Sequence, residues 1–292
     1  MEPVFKNVIA VANDFSHESF TAIDHAAKFA QRDKDELLLI HVLDDKTKEK
    51  LEKGHKTPEF IRSVLEVHCA KIRNAYGIEA RFTMPEGDIF TSIGEAVKTE
   101  KAKLLVMGTH GIQSVGERVL GSWALRIVDS SPVPVIIVQN KGPREEGYKK
   151  VLIELDNSDQ CKRLLPYAEQ FYKLYNSELV LFEDYEEDEF IAKEITLNKG
   201  FAEQWLKDRG VPYSIALQRK GTTYFRDMAA YAGENDIDLI MVVAHKERGF
   251  VELISEPEQK VIYNKEEIPV LCMTAIQNHW MGNFIQEVQT WD

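Results

Sequence analysis

The residues of this 292-residue chain whose types and spacing could do chemistry lie close together: Gly108-Thr109-His110-Gly111, nine intervening residues, then Gly121-Ser122. An apolar run, Leu104-Leu105-Val106-Met107, leads directly into them. Glycine lets backbone N–H groups approach an anion and adopt positive φ, while a helix N-terminus supplies unpaired N–H donors and partial positive charge. A strand running into Gly-x-x-Gly, with Gly-Ser opening an amphipathic helix, therefore suits a phosphate. Ser122 either caps that helix or donates its hydroxyl to a phosphate oxygen, and Leu120, Trp123, Ile127 and Val128 give the helix a buried stripe. His110, inside the turn, either touches a phosphate or faces water. Spacing alone leaves a blander alternative open, because two glycines at a strand exit are more often plain turn residues.

Elements that could position this segment are legible on either side of it. Phe20, Ile23, Ala27 and Ala30 recur at helical spacing, with Ser16 as N-cap. Leu37 to Ile40 and Val135 to Val138 are apolar on both faces, as buried parallel strands are. Such alternation predicts an α/β fold, a parallel sheet with helices on both faces and right-handed crossovers. The chain also repeats itself once. Lys6 to Val11 with Asp14-Phe15-Ser16 is echoed by Lys149 to Glu154 with Asp156-Asn157-Ser158, and Glu36 to Ile40 by Glu178 to Phe182. Leu104 to Met107 returns as Leu239 to Val242, and Pro134-Val135-Ile136 as Pro269-Val270-Leu271. Four landmarks in one order predict two tandem homologous domains, 1–141 and 148–276. The polar stretch Lys141 to Gly147 joins them, and a tail, 277–292, carries Trp280, Met281, Phe284, Ile285, Val288 and Trp291 for docking on a surface.

Composition excludes several classes. A hydrophobic content of 44% and a charged content of 29% are those of a soluble globular protein, and no apolar run approaches the ~20 residues of a membrane helix. A formal net charge of -12 argues against nucleic acid, which is held by clustered Lys and Arg. Cys69, Cys161 and Cys272 are too scattered for a disulfide framework or a zinc site and read as buried thiols. The first residues show no secretory signal, which places the expectation in the cytoplasm.

The whole segment resembles the universal stress protein family in its tandem two-domain form, whose nucleotide signature is Gly, two residues, Gly, nine residues, then Gly and Ser or Thr. Gly108, Gly111, Gly121 and Ser122 match it, as do Val11 to Ser16 at the end of the first strand and His41-Val42 at the end of the second. The likeness is strong over about residues 4 to 140 and weak over 148 to 274. It implies, for each domain, a five-stranded parallel Rossmann-like sheet of the adenine nucleotide alpha hydrolase-like kind. It further implies ATP, or AMP or ADP, as cofactor, with Mg or Mn accompanying the phosphates. Asp14 and Val42 would line the adenine and ribose end, with main-chain contacts from Ala12 and Met107; Gly108, Gly111, Gly121 and Ser122 would surround the phosphates. Trp123 departs from the small or β-branched residue usual after Ser122, and its ring either packs beneath the helix or crowds the phosphates. An intramolecular pseudo-dimer through Val133 to Val138 and Ile268 to Met273 is implied too, with a homodimer as a further option.

The second copy differs. Val243 stands where Gly108 stood, Lys246 where Gly111 stood, Glu256-Pro257 at Gly121-Ser122, and Glu183 at His41. A carboxylate at the phosphate position repels an anion, so this domain is expected to lack this mode of ATP binding. The reading is thus an ATP-binding regulatory or stress-response protein with nucleotide in its N-terminal domain only. A nucleotide-free scaffold or small-ligand binder is the first alternative. A slow ATP hydrolase is the second, since there is no G-x-x-x-x-G-K-[ST] loop and His110 is the one nearby base.

Overall fold

The computed structural model describes residues 7–109, 122–244 and 261–274. Their contacts fall into two compact units, 7–136 and 137–274, the boundary falling within the strand at 135–138 that completes the first unit's topology. The first runs β1 (Val8–Ala12), α1 (His17–Asp33), β2 (Glu36–Ile40), α2 (Asp45–Lys53), α3 (Pro58–Tyr76), β3 (Ala80–Thr83), α4 (Ile89–Thr99), β4 (Ala102–Gly108), α5 (Ser122–Ser130) and β5 (Val135–Val138). Its strand order is β3-β2-β1-β4-β5, and its β1–β2, β1–β4 and β2–β3 pairs are parallel. Order therefore reverses between β1 and β4, leaving a crevice beyond their carboxyl ends where ligands of open α/β sheets bind.

The α/β expectation holds, and its physical basis is visible in burial. Leu37 to Ile40, Leu104 to Met107 and Val135 to Val138 are buried on both faces, as a sheet sandwiched between helices requires. Ser16 caps α1 as expected, its side chain accepting from Ser19 N. Lys103, at the start of β4, is buried with its ammonium 2.5 Å from both Asp33 and Asp35. Two carboxylates on one buried cation fix the α1–β2 turn against β4, at the end of the sheet away from the crevice. Cys69, Cys161 and Cys272 are buried and unbridged. Among the described residues no helix is long and apolar enough to cross a membrane.

The second unit repeats the plan with β6 (Lys150–Leu155), a 3-10 turn (Asp159–Leu164), α6 (Leu165–Tyr175), β7 (Glu178–Glu183), α7 (Glu189–Asp208), β8 (Tyr213–Leu217), α8 (Tyr224–Glu234), β9 (Leu239–Ala244) and β10 (Val270–Thr274). Its order is β8-β7-β6-β9-β10, again with parallel pairs. Pairing corrects one detail of the repeat. Val8 faces Glu36 and Lys150 faces Glu178, so Val8 corresponds to Lys150 rather than to Val151. Strand-to-strand hydrogen bonding, which similarity of apolar runs cannot sense, sets that register. Ala12 then corresponds to Glu154 and Asp14 to Asp156. The stretch 141–147 packs on the second unit, with Arg144 2.9 Å from the Asp238 carboxylate and Gly147 (φ +78) against the Tyr175 ring. The 277–292 tail lies outside the described residues.

Candidate functional site

At the end of β1 the chain must turn sharply to enter α1, and short polar side chains shape that turn. Asn13 Oδ1 accepts from Phe15 N and Asp14 Oδ1 from Ser16 N, each at 3.0 Å. Between them Phe15 takes a left-handed conformation (φ +64), which costs a side-chain-bearing residue roughly 1–2 kcal/mol. Ring packing offsets the cost, the Phe15 ring lying 4.7 Å from that of His41 and 5.9 Å from that of His68. His41 Nδ1 sits 2.8 Å from the Asn13 carbonyl and so carries the proton it donates. Burial holds the imidazole below its ordinary value near 6.5, keeping it neutral. His41 thus ties the end of β2 to the end of β1.

These turns open onto a cleft of about 170 Å³ at the point where strand order reverses. Ala12, Asp14, Val42, Met107 and Gly108, all singled out from the sequence, line it. That volume lies below the ~300 Å³ at which whole small-molecule sites usually begin. His110, Gly111 and Gly121 lie outside the described residues. Ser122 begins the described part of α5; Ile127 and Val128 are buried in its stripe, as expected, and Ile127 reaches the cleft.

Gly108 needs its missing side chain for a reason the sequence did not suggest. A Cβ there would stand 2.6 Å from Glu18 Cβ and 2.8 Å from Glu18 C, in the first turn of α1. The glycine lets β4 and α1 approach closely. Sequence reasoning also missed one wall of the cleft. Ile89 and Ile93 of α4 contribute apolar surface, and Lys46, Thr47 and Lys50 of α2 contribute charge and a hydroxyl. The signal was there: Asp44 as N-cap, then lysines four apart, directly after β2.

At the corresponding place in the second unit, larger polar side chains bond to the strand ends. Glu154, at Ala12's position, is 1% exposed, and its Oε2 accepts from Val243 N, the Gly108 counterpart, at 2.6 Å. In the first unit Asn13 N donates directly to Ile40 O at 2.9 Å. In the second, Tyr224 intervenes between the matching groups, its hydroxyl accepting from Leu155 N at 2.9 Å and donating to Phe182 O at 2.6 Å. Tyr224 opens α8 as Ile89 opens α4. Glu183, at His41's position, pairs with Lys199 at 2.8 Å. Asp184, at Val42's position, is pushed up to about 6 by burial, with Asp156 and Glu186 adding repulsion. Lys246, Glu256 and Pro257 lie outside the described residues.

A parallel α/β unit ordered 3-2-1-4-5, present twice, with an open cleft at its reversal point in the first copy, defines a tandem Rossmann-like protein. Residues 6–139, nearly all of the first unit, match the model of the universal stress protein family. A universal stress protein of Methanocaldococcus jannaschii is 28% identical over 152 residues, covering 50% of this chain and 87% of its own. Among solved structures, a universal stress protein from Archaeoglobus fulgidus superposes with TM-score 0.71 at 20% identity, covering 92% of this chain and 99% of its own. A functionally unknown protein of Pseudomonas aeruginosa gives 0.62 at 11% identity, over 99% and 98%. The latter two establish the shared fold.

Proposed function

We propose that the first unit binds an adenine nucleotide in the cleft at the β1/β4 reversal, that the second unit does not, and that occupancy serves regulation. One contrast carries the reading: a cleft lies at this point in the first unit, while in the second Glu154 and Tyr224 stand at the matching positions and bond to the strand ends. In the first, Ile89, Ile93 and Val42 offer apolar surface for a base, Asp14 offers a carboxylate for ribose hydroxyls, and the chain leads from Gly108 into the glycine-spaced segment. Among the described residues no three His, Cys, Asp or Glu side chains converge on a metal position. In this reading a Mg or Mn ion comes with the nucleotide, held by phosphate oxygens. A ligand of this kind acts as a switch by binding one conformation better than another, with no turnover needed.

The test is to fill the cleft. Val42→Trp places an indole at its base end, where Val42 is only half-buried. Equilibrium dialysis with labelled ATP is expected to show binding by the wild-type chain and none by the variant, with the circular dichroism of the two alike. Equal binding by both would contradict the assignment.

A further inference from the structure

We propose that Asn13 and His41 read the base of the bound nucleotide, Asn13 Nδ2 donating and His41 Nε2 accepting, and that the pair selects a 6-aminopurine over a 6-oxopurine. This selection rests on the nucleotide reading above and gives base recognition two polar side chains beside the apolar surface of Val42, Ile89 and Ile93.

Both residues line the cleft, Asn13 directly after β1 and His41 directly after β2. They are 4% and 6% exposed. Asn13 Nδ2 and His41 Nε2 are nevertheless without a hydrogen-bond partner among the described residues. An unsatisfied buried polar atom is costly and native folds keep few, so two of them at neighbouring strand ends in one cleft wall point to a ligand edge of matching pattern.

The bonds these side chains already make fix the role of each orphan atom. Asn13 Oδ1 accepts from Phe15 N at 3.0 Å and from Ser19 Oγ at 3.1 Å; a backbone N–H can only donate, so the amide oxygen is the atom engaged there and the NH₂ group is the orphan. His41 Nδ1 lies 2.8 Å from the Asn13 carbonyl, which can only accept, so the proton is on Nδ1 and Nε2 presents a lone pair. The wall therefore offers one donor and one acceptor. Adenine complements that pattern, since its 6-amino group donates and a ring nitrogen next to it accepts. A 6-oxopurine puts a carbonyl in place of the amino group, and two lone pairs then face each other at His41. Both orphan atoms are covered, so a base edge meets them after a side-chain rotation of the kind common on binding. Phe15, half-buried in the same wall with its ring 4.7 Å from that of His41, is placed to make it.

The second unit has neither atom. Strand register puts Leu155 at Asn13's position and Glu183 at His41's. Leu155 is apolar and buried, and both Glu183 carboxylate oxygens meet Lys199, at 2.8 and 3.1 Å. The donor and acceptor thus belong to the unit that carries the glycine-spaced segment.

Titration calorimetry of the full chain with ATP and with inosine triphosphate, in the wild type, His41→Asn and Asn13→Asp, tests the inference. His41→Asn keeps an N–H for the Asn13 carbonyl and removes the Nε2 acceptor; Asn13→Asp keeps the oxygen that shapes the turn and removes the donor. The wild type is expected to bind ATP about tenfold more tightly than inosine triphosphate, and each variant to bring the two within about threefold. A wild type that binds both triphosphates alike, which needs no variant to show, or a wild-type preference kept in either variant, would overturn the inference and leave the nucleotide reading standing. A wild-type chain that binds neither ligand would overturn both.

Discussion

Gly108 answers two demands at once: it lines the cleft, and it lets β4 pass within van der Waals distance of the first turn of α1. The second demand is independent of any ligand. Gly108→Ala is therefore expected to cost roughly 1–3 kcal/mol of stability by overpacking, read as a lowered urea midpoint. An unchanged midpoint would mean that α1 yields readily. Because of this cost, loss of ligand binding in a Gly108 variant says little about phosphates. Asp14 is similar, since Asp156 makes the same 3.0 Å bond to Ser158 N in the second unit as Asp14 makes to Ser16 N. Part of its work is to make the turn. Gly108 was legible from glycine spacing after an apolar run, while Ala12, Asp14, Val42 and Met107 were named only through the resemblance to the universal stress protein family. Lys46, Ile89 and Ile93 come to the cleft from helices whose placement depends on the sheet; the Asp44 cap and the lysine spacing mark α2 as a helix but do not report which way it faces.

At the scale of elements, the repeat was readable and its register was not. Short apolar runs look alike when slid by one position, and only cross-strand pairing makes Glu154 the counterpart of Ala12. That one position matters, because it puts a carboxylate on the Val243 N–H and makes Tyr224 the bridge between β6 and β7. The bridge is a structural substitute for the direct Asn13–Ile40 bond. Tyr224→Phe leaves the Leu155 N–H and the Phe182 carbonyl without their shared partner, and about 2 kcal/mol of stability should be lost on denaturant unfolding. A variant as stable as wild type would show that β6 and β7 close on each other unaided. The polar anchors at the other end of the sheet diverged in parallel. Lys103 binds Asp33 and Asp35 in the first unit, while Asp238 takes the Lys149 and Lys150 N–H groups and Arg144 in the second. The two copies kept one backbone plan and reversed the sign of a buried charge.

For the whole molecule, the consequence is asymmetry. Two units of one topology differ at their reversal points: a cleft lined by Ala12, Asp14 and Val42 in the first, and Glu154 and Tyr224 bonded to the strand ends in the second. Topology is uninformative on this point, since both units have the same strand order. What distinguishes them is the handful of side chains that reach the reversal point of each sheet. The most direct test is the stoichiometry of ATP binding to the intact chain by isothermal titration calorimetry. The account predicts a single class of site with about one nucleotide per chain, abolished by Val42→Trp; two nucleotides per chain, or one that survives that substitution, would contradict it.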